Sequence, residues 1–285
     1  MMKLKSKRKI VIIKKERFIL VISVFIILLC LIFYIGSKVT SKKQVVNNVN
    51  TTKVTLPQPR TDVNMNAREV KSINKELNSD SSSTNVYNSD GHKIAYLTFD
   101  DGPCDKTTPG ILKVLDSYNI KATFFIVGSY AIKYPDLVKK EAMDGQAIGN
   151  HTYSHNYNYL YSNTNTFLSD VNKCETTLKS ILGSDFNSKL VRFPGGSVGK
   201  KLEPFIVALK SDGYHYIDWN DLTGDAEGQN IPVDMLLANL KKNTEGKGHV
   251  VILMHDLSTK ATTVQALPKV IDYLKSKGYS FKTLS

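Results

Sequence analysis

Apolar and polar positions divide the chain into three stretches. Phe18 to Ile35 is a run of 18 residues without a charge; at 1.5 Å per residue it extends about 27 Å, close to a bilayer core. Residues 37–90 show no period of either kind. Asn, Ser, Thr and Lys dominate them, Tyr87 is their only aromatic residue, and so little apolar surface cannot offset the entropy of ordering. From residue 93 short apolar runs alternate with segments of helical period. Strands are predicted at Ile94 to Phe99, Ala122 to Val127, Ala147 to Gly149, Leu190 to Phe193, Tyr214 to Trp219, His249 to Met254 and Tyr279 to Lys282. Helices are predicted between them. The first starts at Thr108-Pro109, read as a hydroxyl cap before a proline. Another runs from Thr164 to Leu182, with a stripe of Phe167, Leu168, Val171, Leu178, Ile181 and Leu182 ended by Gly183. The others fall near Pro135 to Met143, Leu202 to Ser211, Pro232 to Lys242 and Val264 to Lys275.

Strands alternating with helices predict parallel βα units in an α/β fold, and seven strands suit a small barrel. In such folds chemistry gathers at the C-terminal ends of the strands. The polar residues follow that rule: Asp100 and Asp101 after the first strand, His151 and His155 after the third, Arg192 at the fourth, Asp225 beyond the fifth, His255 and Asp256 after the sixth.

The formal charge of +12 first suggests nucleic acid. Residues 1–90 carry 16 Lys/Arg against 6 Asp/Glu, whereas residues 91–285 carry 22 against 20. The foldable part therefore has no basic excess, and no nucleic-acid partner is expected. Eight basic residues precede the apolar run, which predicts a cytoplasmic N-terminus with the remainder outside. The run ends Tyr34-Ile35-Gly36-Ser37-Lys38 without an Ala-x-Ala site, so an uncleaved anchor is favoured over a cleaved signal peptide. The expected organisation is a basic tail at 1–17, a single-pass membrane anchor at 18–36, a flexible linker at 37–90 and an extracellular domain at 91–285. Cys30 falls in the span, and Cys104 and Cys174 are expected to be unpaired thiols.

Thr98-Phe99-Asp100-Asp101-Gly102-Pro103 places two carboxylates side by side at a strand end, which is costly unless a cation offsets them. His151-Thr-Tyr-Ser-His155 offers two imidazoles four residues apart, a spacing that reaches one metal from a helical turn. With Asp101 they make a three-ligand set with room for water, as in a catalytic zinc-type site. Asp100 is then the spare carboxylate and candidate general base, and Arg192 could hold it ionised and oriented. His255 is the candidate acid, kept protonated by Asp225 or Asp256. Against each stands a plainer reading: a turn cap, surface histidines, a surface ion pair, a core histidine.

TFDDGP at 98–103, HTYSH at 151–155, RFPGG at 192–196 and LMHD at 253–256 resemble, in order and spacing, the motifs of polysaccharide deacetylases, the NodB-homology domain of carbohydrate esterase family 4. The resemblance spans essentially all of 91–285. It implies a distorted (β/α)7 barrel and one divalent ion, usually zinc, with cobalt, manganese or nickel as alternatives. It implies Asp101, His151 and His155 as ligands, Asp100 as base, Arg192 as its positioner and His255 as acid. Leu253 is implied in a pocket for the acetyl methyl group, and the backbone N–H of residue 195 in binding the oxyanion. Two positions depart from the family. Gly195 stands where many members carry an aromatic residue, so a wall of the groove is expected to be lost. Asp225 is followed by Ala226 rather than tryptophan. The expected activity is metal-dependent removal of N-acetyl groups from wall polysaccharide, GlcNAc or MurNAc of peptidoglycan, with release of acetate. An O-acetyl esterase, a chitooligosaccharide deacetylase and a non-catalytic wall-binding protein are the alternatives.

Overall fold

A computed structural model describes residues 86–284. The expected tail, anchor and most of the linker lie outside the described residues. Among those described, no helix is long and apolar enough to cross a membrane. At the end of the expected linker, Val86 and Tyr87 pack against the cluster of Ile94, Phe125, Leu190, Ile217 and Val251.

Eight strands form one sheet in the order β5-β4-β3-β2-β1-β7-β6, with β8 also on β1. They are β1 (Ile94–Gly102), β2 (Thr123–Ile126), β3 (Ala147–Asn150), β4 (Leu190–Val191), β5 (His215–Tyr216), β6 (Asp221–Leu222), β7 (His249–His255) and β8 (Ser280–Phe281). Every ladder is parallel. The curled sheet fits the expected barrel, with an opening between β5 and β6, which are neighbours in sequence but not in the strand order. Sequence pattern missed β6 because two residues, Asp221 and Leu222, carry no alternation to detect.

The helices are α1 (Thr108–Ser117), α2 (Gly128–Lys133), α3 (Pro135–Met143), α4 (Tyr157–Leu160), α5 (Thr164–Leu182), α6 (Glu203–Ser211), α7 (Val233–Thr244) and α8 (Ala261–Ser276). α5 starts where Asn163 accepts from the Thr166 N–H and stops at Gly183, whose φ of 106° suits glycine. It buries Phe167, Val171, Cys174 and Leu178, one face at helical spacing. The short helices α2 and α4 were not expected, since one turn leaves too few residues to show a period.

β1 is the hub. Its residues are buried nearly throughout because β2 and β7 flank it and helices cover the sheet. The β1–β7 register runs unbroken from Ile94↔His249 to Asp100↔His255. This ladder brings the two ends that carry the polar motifs to the same level.

Candidate active site

β1 ends in a break of register. Asp100 pairs with Phe125, the next pairing is Gly102 with Ile126, and Asp101 takes a φ of 73° between them. Successive residues of a regular strand point to opposite faces; a bulge re-aims one of them. Thus two adjacent carboxylates serve one site from different directions. Gly102 cannot be larger, because a Cβ there would stand 2.5 Å from Asp256 Oδ2.

The two histidines are not on a helical turn, contrary to expectation. They sit on a loop after β3 in which Thr152 and His155 have positive φ, 67° and 51°. Asp170 of α5 holds this loop by accepting from the N–H groups of Tyr153 (2.7 Å) and Ser154 (2.9 Å). The loop brings His151 Nε2 to 3.4 Å and His155 Nε2 to 3.1 Å from the same Asp101 Oδ1. A tetrahedral ion with bonds of about 2.0–2.1 Å keeps its ligand atoms about 3.4 Å apart, so the three donors fit one. Asp101 Oδ1 is buried with no hydrogen-bond partner, which points the same way. His151 Nδ1 bonds the Arg192 carbonyl at 2.8 Å; that bond makes Nδ1 the donor and leaves the Nε2 lone pair for a ligand role.

Burial opposes ionisation of Asp101, yet the closeness of His151, with His155 and His255, holds its pKa down at about 2. Burial also opposes charge on His151, but Asp100 and Asp101 outweigh it and raise its pKa. Burial and the neighbouring His151 lower that of His155.

Arg192 is wholly buried. Its Nη1 donates to Asp100 Oδ1 (2.8 Å) and Thr98 Oγ1 (2.7 Å), Nε to the Ile217 carbonyl (3.1 Å) and Nη2 to that of Asp218 (3.1 Å). The guanidinium lies 4.1 Å from the centre of the Phe125 ring. The plain reading of Arg192 as a surface ion pair is therefore wrong. Thr98 completes this anchor and was not singled out in the sequence, because nothing marks one strand threonine among others.

On the facing strand, His255 Nδ1 meets Asp225 Oδ1 at 2.8 Å, while Asp225 Oδ2 accepts from the His255 N–H and from Thr263 Oγ1, both at 2.8 Å. Burial works against charge on His255, but Asp225 overrides it and raises the pKa. Of the two carboxylates considered as partners of His255, Asp225 is the one beside it. Asp256 instead accepts from the hydroxyls of Thr107 and Thr108 at 2.5 Å each. The hydroxyl expected to cap α1 is thus spent on Asp256, and α1 starts without a side-chain cap. Burial pushes the Asp256 pKa up to about 6, against the pull of those two hydroxyls and with the Asp101 charge adding.

Gly195 adopts a φ of 80° and is exposed, and among the hydrogen bonds of the described residues none uses its N–H. Leu253 is buried on β7 opposite Thr98. Cys104 and Cys174 are buried and unpaired, as expected. A cavity of about 360 Å³, lined partly by Asp101, Pro103, Cys104, Tyr130 and Lys133, opens beside the ion-ligand cluster. A larger one, about 860 Å³, lies at the other end of the strands, near Lys93 and Gly248.

The arrangement combines three donors that could hold one cation, a carboxylate clamped by arginine and an imidazole backed by a carboxylate. Such parts could serve an ion-assisted hydrolytic centre. Residues 87–217 match a family model described as polysaccharide deacetylase. A peptidoglycan-N-acetylglucosamine deacetylase of Bacillus cereus is 30% identical over 272 residues, covering 94% of this chain and 92% of that protein. A carbohydrate esterase family 4 esterase of Streptococcus mutans superposes with a TM-score of 0.66 at 34% identity, over 74% of this chain and 94% of that one. The catalytic domain of a peptidoglycan N-acetylglucosamine deacetylase from Eubacterium rectale gives 0.62 at 33% identity, over 70% and 91%.

Proposed function

This chain belongs to the polysaccharide deacetylase family, and on that premise we propose that it is a metal-dependent hydrolase that removes N-acetyl groups from N-acetylglucosamine of peptidoglycan and releases acetate. The observation that carries the proposal is the meeting of Asp101, His151 and His155 around one point, with Asp100–Arg192 and His255–Asp225 at the same strand ends. The names of the relatives in Bacillus cereus and Eubacterium rectale support the substrate.

Asp101, His151 and His155 are the residues that would hold the ion; two imidazoles and one carboxylate suit zinc, with cobalt, manganese or nickel also able to take such donors. When bound, a divalent ion makes a water acidic near neutral pH and polarises the acetyl carbonyl. Asp100 takes the proton of the attacking water, and Arg192 fixes the carboxylate so that one oxygen stays free for that transfer. The Gly195 N–H donates to the oxygen of the tetrahedral intermediate. His255, charged and steadied through Nδ1 by Asp225, gives its proton to the leaving sugar nitrogen, and the C–N bond breaks to acetate and free amine. Leu253 supplies an apolar surface for the acetyl methyl group.

Outside the catalytic residues, we place the domain beyond the membrane, tethered by residues 18–36. N-terminal sequencing of cell-derived protein that began after residue 36 would overturn the tether. Acetate release from purified peptidoglycan, with the deacetylated sugar mapped by mass spectrometry and activity lost to a chelator and regained with zinc, tests the reaction. Release from O-acetylated but not N-acetylated polymer would assign an O-acetyl esterase instead; no release from either would leave a binding protein.

A further inference from the structure

Gly195 lacks the aromatic side chain that the family pattern places there, yet its surroundings are not open. A Cβ on residue 195 would lie 2.8 Å from Tyr157 Cε1, 3.2 Å from its hydroxyl oxygen and 3.5 Å from Cζ. The Tyr157 ring therefore occupies the space that a side chain from residue 195 would enter. It arrives from a different segment, the one-turn helix α4, only two residues after the ligand His155.

The position of this ring is built. Leu160 of α4 is fully buried in the cluster that holds Phe193, two residues before Gly195. The Tyr161 hydroxyl, just after the helix, donates to the Pro194 carbonyl at 2.7 Å. Asn156 caps the turn by accepting from the Tyr159 N–H at 3.1 Å. The loop carrying Gly195 and the turn carrying Tyr157 are thus clamped together. The Tyr157 ring stands edge-on to His155, 5.5 Å between centres at 88°, and edge-on to Tyr161 at 6.2 Å. About half of Tyr157, 49%, remains exposed. A fixed aromatic ring with one side packed and the other open, beside an ion ligand, presents a flat apolar surface with a polar tip. The C–H face of a pyranose is the complementary shape.

We propose that Tyr157 replaces the missing aromatic wall and is a substrate-contacting residue, stacking on the N-acetylated pyranose whose acetamide enters the site. On this reading the wall expected to be lost from the loop after β4 is supplied from α4 instead. This inference rests on the deacetylase reading above.

The test uses tetra-N-acetylchitotetraose. Initial rates are measured on the zinc-loaded protein, and affinity is measured by calorimetry with Asp100→Asn holding turnover off. Tyr157→Ala should raise KM and weaken affinity about tenfold, the factor worth about 1.4 kcal/mol. Its kcat should change little and its zinc content not at all, and Tyr157→Phe, which keeps the ring, should behave nearly as the unaltered protein. Unchanged KM and affinity in Tyr157→Ala would overturn the proposal. So would a loss of activity matched by a loss of zinc, which would make Tyr157 only a support for His155. If the protein binds the oligosaccharide without releasing acetate from it or from purified peptidoglycan, and Tyr157→Ala weakens that binding, the deacetylase reading falls and the wall stands. If it neither binds nor hydrolyses the oligosaccharide or purified peptidoglycan, both fall.

Discussion

Arg192→Met is the substitution whose consequence follows most directly from the geometry. It keeps much of the aliphatic volume and removes a cation that makes four hydrogen bonds with no exposure to water. Asp100, 3% exposed, is left without its counter-ion. Removing one partner of a buried pair costs about 3–5 kcal/mol, because Asp100 then keeps neither solvent nor its hydrogen-bonded cation, with only His151 Nε2 at 3.8 Å from its other oxygen. For a domain of this size each kcal/mol moves Tm by about 2–4 °C, so the loss should be roughly 6–20 °C. Asp100→Asn is milder. The amide oxygen can still accept from Nη1, and the guanidinium retains Thr98, Ile217 and Asp218, so about 1–2 kcal/mol is expected. In the double variant neither charge of the pair remains, and the cost should fall short of the sum of the two by about 1–3 kcal/mol. Urea titration followed by far-ultraviolet circular dichroism, on zinc-loaded protein, measures all three. Activity does not separate the cases, since every variant touches the proposed base. An Arg192→Met cost below about 1 kcal/mol, or strict additivity in the double variant, would show that the pair is not effectively desolvated and that the burial argument is wrong.

Three further outcomes are expected. Asp101→Ala should lose bound zinc, while Asp100→Asn keeps zinc and loses about 100-fold or more in turnover; metal analysis showing the reverse pattern would exchange their roles. Asp225→Asn removes the charge that raises the His255 pKa. A general acid must be protonated, so turnover is lost as pH rises through that pKa, and the alkaline limb of kcat/KM should move to lower pH; an unmoved limb refutes the pairing as the cause. Glu141, on the inner face of α3, is fully buried with both carboxylate oxygens unpartnered, and burial, with Asp256 adding, raises its pKa well above the ordinary range. The folded state then holds a proton that the unfolded state releases, so this group's contribution to stability is lost as pH climbs from the ordinary carboxyl range toward the raised value. Glu141→Gln should therefore gain Tm relative to the unaltered protein between pH 5 and pH 8 on the order of a few degrees, and parallel pH curves would contradict this.

The motifs were legible in the sequence because the chemistry needs particular side chains. His151 and His155 point to a cation site by type and spacing, and the structure brings them to Asp101 within reach of one ion; Pro135 and Gly183 mark helix ends that the structure keeps. What sequence did not disclose is conformation that no periodicity encodes. The i, i+4 spacing of the histidines suggested a helical turn, but positive φ at Thr152 and His155 produces the same convergence from a loop. Asp225 and Asp256 were equivalent as letters, and only the hydroxyls of Thr107 and Thr108 decide which of them faces His255. Tyr157 was hidden for a related reason: its contact with Gly195 joins residues 38 positions apart (195 − 157) on two short segments.

The β1–β7 ladder also bears on the order in which the site is completed. Asp100 and His255 lie opposite one another on it, yet 155 residues separate them along the chain (255 − 100). A growing polypeptide therefore has Asp101, His151 and His155 long before it has His255, and one flank of β1 waits for a strand made much later. Closing so distant a contact is slow compared with forming helices, and an apolar strand left half-paired is open to association with other chains. Fragments ending before β7 should be inert and prone to aggregate.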